Sequence, residues 1–191
     1  MALEPVQVIV NIKNPVQDLS INQVQDIFSG KIKNWKQVGG KDQSIVVVAR
    51  LHCKDRHGDW KHILPTVEDF SGESLLVTGE EDMTVKVNDL ENAIGHMGST
   101  WDLKSQGQNR IKHVTINKLN PTAENLKNKS YPFFRELAVI TNDKPSEDLL
   151  KIIDYARNSD SFYRVAKKYD LLPNNKSTGG EHHHQGAIHL H

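Results

Sequence analysis

The sequence predicts an α/β fold, with helices packed outside a mostly parallel sheet. Three observations carry this. Short β-branched runs stand at residues 6–11 (Val-Gln-Val-Ile-Val-Asn) and 44–49 (Ser-Ile-Val-Val-Val-Ala). Between them lies an amphipathic helix with both ends specified, and a strand–helix–strand order favours parallel strands with the helix outside. Finally, 191 residues, 37% hydrophobic and 25% charged, describe an ordinary globular chain able to bury one good core.

The elements follow in order. Residues 6–11 form the first buried strand, and Asn14-Pro15 turns the chain. Ser20 is a good N-cap, Gln23 completes a capping box, and Leu19 against Val24 has the spacing of a hydrophobic staple. Val24, Ile27 and Phe28 make one apolar stripe, and Gly30 supplies the left-handed position that ends the helix. Lys31, Lys33 and Lys36 keep the following connector wet while Ile32 and Trp35 anchor it, up to Gly39-Gly40. Residues 41–43 are a polar turn before the second strand.

Trp60, Ile63 and Leu64 share a helical face that Pro65 stops. Residues 71–82 read as loop, 82–87 as a short strand, and 89–92 as a helical turn. Residues 93–99 (Ala-Ile-Gly-His-Met-Gly-Ser) form a strand whose glycines imply close backbone approach. Residues 110–117 alternate as a half-exposed strand. Asn120-Pro121 opens a helix with proline at its first position. Residues 134–141 are the last long strand, ending at the turn 142–145. Ser146 opens a helix burying Leu149, Leu150, Ile152 and Ile153. Asp160 or Ser161 opens another, with Phe162, Val165, Ala166 and Tyr169 inward, and Leu171-Leu172-Pro173 follows. From residue 174 the composition turns polar, and five of the ten histidines fall in residues 181–191. That tail, 174–191, is read as a flexible or appended end outside the fold.

Lysine plus arginine equals aspartate plus glutamate, at 24 each. Global charge therefore gives no reason to expect nucleic acid or an anionic membrane as partner. No apolar run approaches the roughly 20 residues of a membrane span. The start, Met1-Ala2-Leu3-Glu4-Pro5, lacks the pattern of a signal peptide, so an exported form implies that peptide already removed. Cys53 is the one cysteine, which excludes an internal disulfide. Catalytic frames such as Gly-x-Ser-x-Gly, His-Glu-x-x-His or a phosphate-cradling Gly-x-x-x-x-Gly-Lys are missing, and neither an enzyme nor a cofactor is expected.

The phrase at residues 19–40, Leu-Ser-Ile-Asn-Gln-Val-Gln-Asp-Ile-Phe-Ser-Gly-Lys-Ile-Lys-Asn-Trp-Lys-Gln-Val-Gly-Gly, closely resembles the start of the second lobe in phosphate-binding periplasmic receptors of ABC transporters. The resemblance recurs in order. Residues 6–16 look like the hinge strand, and Ala93-Ile94-Gly95-His96 is similar to a family phrase that usually ends in tyrosine. Pro121-Thr-Ala-Glu-Asn125, Lys129-Ser-Tyr-Pro132 and Arg135-Glu-Leu resemble the return to the hinge, and residues 159–173 the closing helix. Coverage runs from 5 to 173. The resemblance implies a three-layer αβα lobe with a mixed, mostly parallel sheet, like one lobe of a type II periplasmic binding protein. It also implies a single-lobe solute-binding protein, periplasmic or extracellular and non-enzymatic.

Two departures qualify that picture. The family's N-terminal lobe has no counterpart, and Arg50 stands where the family's arginine does but no Ser-Gly-Thr follows it. Arg50, Lys54, Arg56 and His57 are the candidate anion-binding residues, because arginine grips an oxyanion in bidentate fashion and protonated histidine can join. The partners expected are a small oxyanion such as phosphate and a second chain or homodimer closing the open face. His52, Cys53 and His57 have the side chains of a zinc, copper or nickel site, though their spacing matches no established motif. The plainer alternatives are a solvated loop with a buried Cys53, a strand-end ion pair between Arg50 and Glu73 or Asp82, and a hydrogen-bonded core His96. A protein-interaction module using the face of the missing lobe is a further alternative.

Overall fold

A computed structural model of the chain describes residues 2–50, 63–64, 69–100, 110–137, 147, 151 and 159–173. Of the helical face expected at Trp60, Ile63 and Leu64, the last two are described and buried, while Trp60, the turn 142–145, the apolar face from Leu149 to Ile153 and the tail from 174 lie outside the described residues.

Helix α1 (Ile21–Phe28) forms as its local sequence dictates. Ser20 Oγ accepts from Gln23 N at 3.1 Å and Gln23 Oε1 accepts from Ser20 N at 2.9 Å, closing the capping box. Val24, Ile27 and Phe28 are fully buried, and Gly30 takes φ +82° just beyond the end. A 3-10 turn (Trp35–Val38) follows, and the buried Trp35 donates its indole N–H to Asn92 O at 2.9 Å.

Strand β1 (Ala2–Asn11) is longer than its β-branched stretch. The remaining strands are β2 (Asp18–Leu19), β3 (Val46–Ala49), β4 (Leu75–Leu76), β5 (Ala93–Gly98), β6 (Ile111–His113), β7 (Thr115–Ile116), β8 (Phe134–Leu137) and β9 (Leu172–Pro173). β2 and β7 pair apart, and the other seven share one sheet. Its first five strands are ordered β4-β3-β5-β1-β6, while β8 and β9 pair with the first residues of β1. β3 is parallel to β4 and β5, whereas β1 is antiparallel to β5, β6, β8 and β9. Every strand of the sheet except β1 therefore points the same way, which makes it mixed and mostly parallel. The expected parallel unit of β1, α1 and β3 does not form: β1 opposes β3, and β5 lies between them.

Period-two alternation builds the three layers. Val6, Val8, Val10, Val47, Ala49 and Ile94 face α1, in one core with Val24, Ile27, Phe28 and Trp35. Ile9, Val48, Ala93 and Met97 face the other way, onto Met83 and Val87 of helix α2 (Glu80–Asp89). Gly95 permits that second contact, since a Cβ there would strike Met83 Sδ and Val87 Cγ2.

Three local expectations are corrected. Residues 82–87 are helix rather than strand. Met83, Val85 and Val87 alternate in sequence, but Met83, Thr84 and Val87 form the buried helical face and Val85 is exposed. Pro121 lies outside helix α3 (Ala123–Lys127), because Thr122 caps it by accepting from Asn125 N at 3.2 Å. In helix α4 (Asp160–Lys168), capped by Ser159, Ala166 is buried and Phe162 and Tyr169 pack partly, but Val165 is exposed.

Among the described residues the core holds one phenol. Tyr131 is buried, donates to Val6 O at 2.8 Å, and burial pushes its pKa well above the usual tyrosine range. A folded-state pKa raised above the unfolded value gives stability that is whole below about pH 10 and lost as pH rises beyond it. Tyr131→Phe should cost about 0.5–1.5 kcal/mol at neutral pH for the lost hydrogen bond. Denaturant titrations from pH 8 to 11 should show the wild type converging on the variant above about pH 10; parallel curves would exclude this linkage.

Candidate functional site

Arg50 follows β3 at the carboxyl end of the parallel strands, where open α/β sheets place their ligands. Its backbone N–H donates to His96 Nε2 at 3.2 Å from the neighbouring strand β5. An accepting Nε2 puts the ring proton on Nδ1. His96 is 1% exposed and meets Phe28 edge to face at 5.9 Å, so it is the hydrogen-bonded core histidine expected from its phrase.

The Arg50 side chain enters an ionic network. Its Nη1 lies 3.4 Å from Glu80 Oε1, and the same oxygen lies 3.1 Å from Arg135 Nη1. Glu80 opens α2, where a carboxylate also meets the positive end of the helix dipole. Arg135, on β8, turns its Nε to Glu4 Oε2 on β1. Glu4 is wholly buried, and its other oxygen accepts from Thr100 N at 2.8 Å and from Thr100 Oγ1. Among the described residues, two guanidiniums thus alternate with two carboxylates. Gly98 leaves the room for this packing, since a Cβ there would land on the Glu4 carboxyl and the Arg135 guanidinium.

Arg50 is therefore the partner of a carboxylate, as its strand-end reading expects, although that carboxylate is Glu80 and not Glu73 or Asp82. Its side chain remains 23% exposed, and its Nε has no hydrogen-bond partner among the described residues. The other candidates, Lys54, Arg56 and His57 for an anion and His52, Cys53 and His57 for a metal, lie outside the described residues. Sequence reasoning missed Glu80, Arg135, Glu4 and Thr100. Only Glu4 gave a signal, as a lone carboxylate in the apolar setting of Ala2-Leu3-Glu4-Pro5-Val6. Among the described residues, a hollow of about 480 Å³ opens at the opposite end of β1, lined by Asn11, Lys13, Asp89 and Arg110 among others.

A family model described as a PBP superfamily domain matches residues 1–160. The phosphate-binding protein PstS of Bacillus subtilis is 28% identical over 167 residues, covering 86% of this chain and 53% of that protein. PstS of Borreliella burgdorferi is 24% identical, covering 75% and 54%. The chain spans about half the length of the curated relatives it matches. Among solved structures, one from Clostridium perfringens, described as a phosphate ABC transporter substrate-binding protein with bound phosphate, superposes with TM-score 0.78 at 30% identity. That match covers 91% of this chain and 70% of the other. An ABC-type phosphate transport receptor from Vibrio cholerae gives TM-score 0.67 at 28% identity, covering 90% and 70%.

A buried carboxylate stripped of its cation leaves an uncompensated partner, whereas an exposed pair contributes little. Arg135→Met should therefore cost roughly 3–5 kcal/mol by denaturant unfolding. Lys13→Met, which breaks the exposed Lys13–Glu91 pair at 3.1 Å, should cost less than about 1 kcal/mol. Equal losses in the two variants would refute this assignment of the network.

Proposed function

Since the chain belongs to the PBP superfamily, and within it to the phosphate-binding receptors of ABC transporters, we propose that it forms one wall of a small-oxyanion site, anchored at Arg50. Phosphate is the oxyanion named for its relatives. The observation that carries the reading is the setting of Arg50. His96 fixes its backbone, Glu80 lies against one terminal nitrogen, and its buried Nε has no hydrogen-bond partner among the described residues while the side chain as a whole stays partly exposed. An arginine so held presents a preset edge to an oxyanion.

Lys54, Arg56 and His57 follow Arg50 closely in sequence and add the further cations of the site, in place of hydroxyl and backbone donors. Residues 5–173 act as one receptor lobe, with the His-rich stretch 174–191 outside it. A second chain, another copy or a separate partner, supplies the opposing wall, because a one-sided site leaves its anion hydrated and loosely held. The protein binds and hands on its solute without transforming it, outside the cytoplasmic membrane. Among the described residues no helix is long and apolar enough to cross a membrane.

Isothermal titration with inorganic phosphate and with sulfate, paired with thermal shift, tests this. Phosphate should raise the melting temperature, and Arg50→Ala or Lys54→Ala should weaken binding at least about tenfold, the loss of one charge-assisted contact. An anion response untouched by either variant would remove the site. Stabilisation by zinc alone would point instead to His52, Cys53 and His57.

A further inference from the structure

We propose that Glu80 is a built-in competitor for the oxyanion, setting affinity by holding the arginine that the ligand must share. The inference rests on Arg50 as the anion anchor.

Two guanidiniums converge on a single oxygen of Glu80, at 3.4 Å from Arg50 and 3.1 Å from Arg135. An oxygen with partial negative charge between two guanidiniums is what an oxyanion would present at the same place. The two legs differ in strength. Arg135 is also fixed from behind by the buried Glu4, whereas the Arg50 side chain has, among the described residues, one long contact, to Glu80. The Arg50 leg is therefore the one that yields.

Yielding is tolerable because Glu80 has a second cation. A carboxylate that is 10% exposed and loses its sole partner is left bare at high cost. Glu80 stays paired with Arg135 and at the start of α2 when Arg50 turns to a ligand. Arg135 is then a positioning residue, since it retains the competing carboxylate without touching the anion. The remaining cost is like-charge repulsion between Glu80 and the incoming oxyanion, which weakens binding.

Replacing the competitor should therefore improve binding, an outcome that simple structural damage does not produce. In titrations with inorganic phosphate, Glu80→Gln, which keeps shape and removes charge, should tighten Kd at least about tenfold. Glu80→Asp, which keeps the charge but draws it back by one methylene, should tighten it less, and serves if the glutamine variant does not fold. In the double variant Arg50→Ala with Glu80→Gln the gain should vanish. A folded Glu80→Gln protein whose Kd stays within about twofold of wild type, or weakens, overturns the competitor role. If Arg50→Ala alone abolishes binding in that case, the anion anchor stands. If Arg50→Ala leaves phosphate binding unchanged, the anchor fails and the competitor with it.

Discussion

A carboxylate with no access to water sits within the one strand that runs against all the others in its sheet. Arg135 and Thr100 supply donors to both oxygens of Glu4 there. Those contacts tie together residues from β1, the end of β5 and β8. Arg135 in turn reaches Glu80 and so the start of α2. Gly98 is part of the same constraint, because nothing larger fits beside the pair. Replacing such a network by apolar groups is often neutral for stability, so what it contributes here is fixed geometry between the elements it joins.

The geometry fixed is that of the carboxyl end of β3. Arg50 is held through its backbone by an imidazole and through its side chain by a carboxylate, and both come from elements that follow it in sequence. The resemblance places a tyrosine at position 96. A histidine there offers an accepting ring nitrogen to the Arg50 N–H. The backbone of Arg50 is thereby held in place, and for the anion site proposed above such preorganisation would reduce the ordering cost of binding.

Legibility in the sequence followed the range of the interactions. α1 could be read in full because its cap, staple and stripe lie within ten residues of one another. The long, buried part of β1 and the glycine-punctuated β5 were legible for the same reason, since burial on both faces leaves continuous apolar runs. α2 was missed because Met83-Thr-Val-Lys-Val87 fits two periods at once, and only the packing of Met83 and Val87 on Gly95 chooses between them. The first half of β1 was hidden by Glu4 and Pro5, which look like a break until Arg135 is brought alongside from 131 residues away. Arg50 could be placed by following its strand. Glu80 could not be linked to it, because an ion pair across the fold has no local signature.

β1 precedes all of its partners in the chain and touches both halves of the sheet. Ala2 and Leu3 pair with Pro173 and Leu172, while Val6 to Val10 pair with β5. Until the last of those segments leaves the ribosome, the strand that unites the sheet is left with an open edge. Completion of the sheet therefore waits for a pairing about 170 residues away, and long-range pairing of this kind is slow to form and leaves an open apolar edge in the meantime.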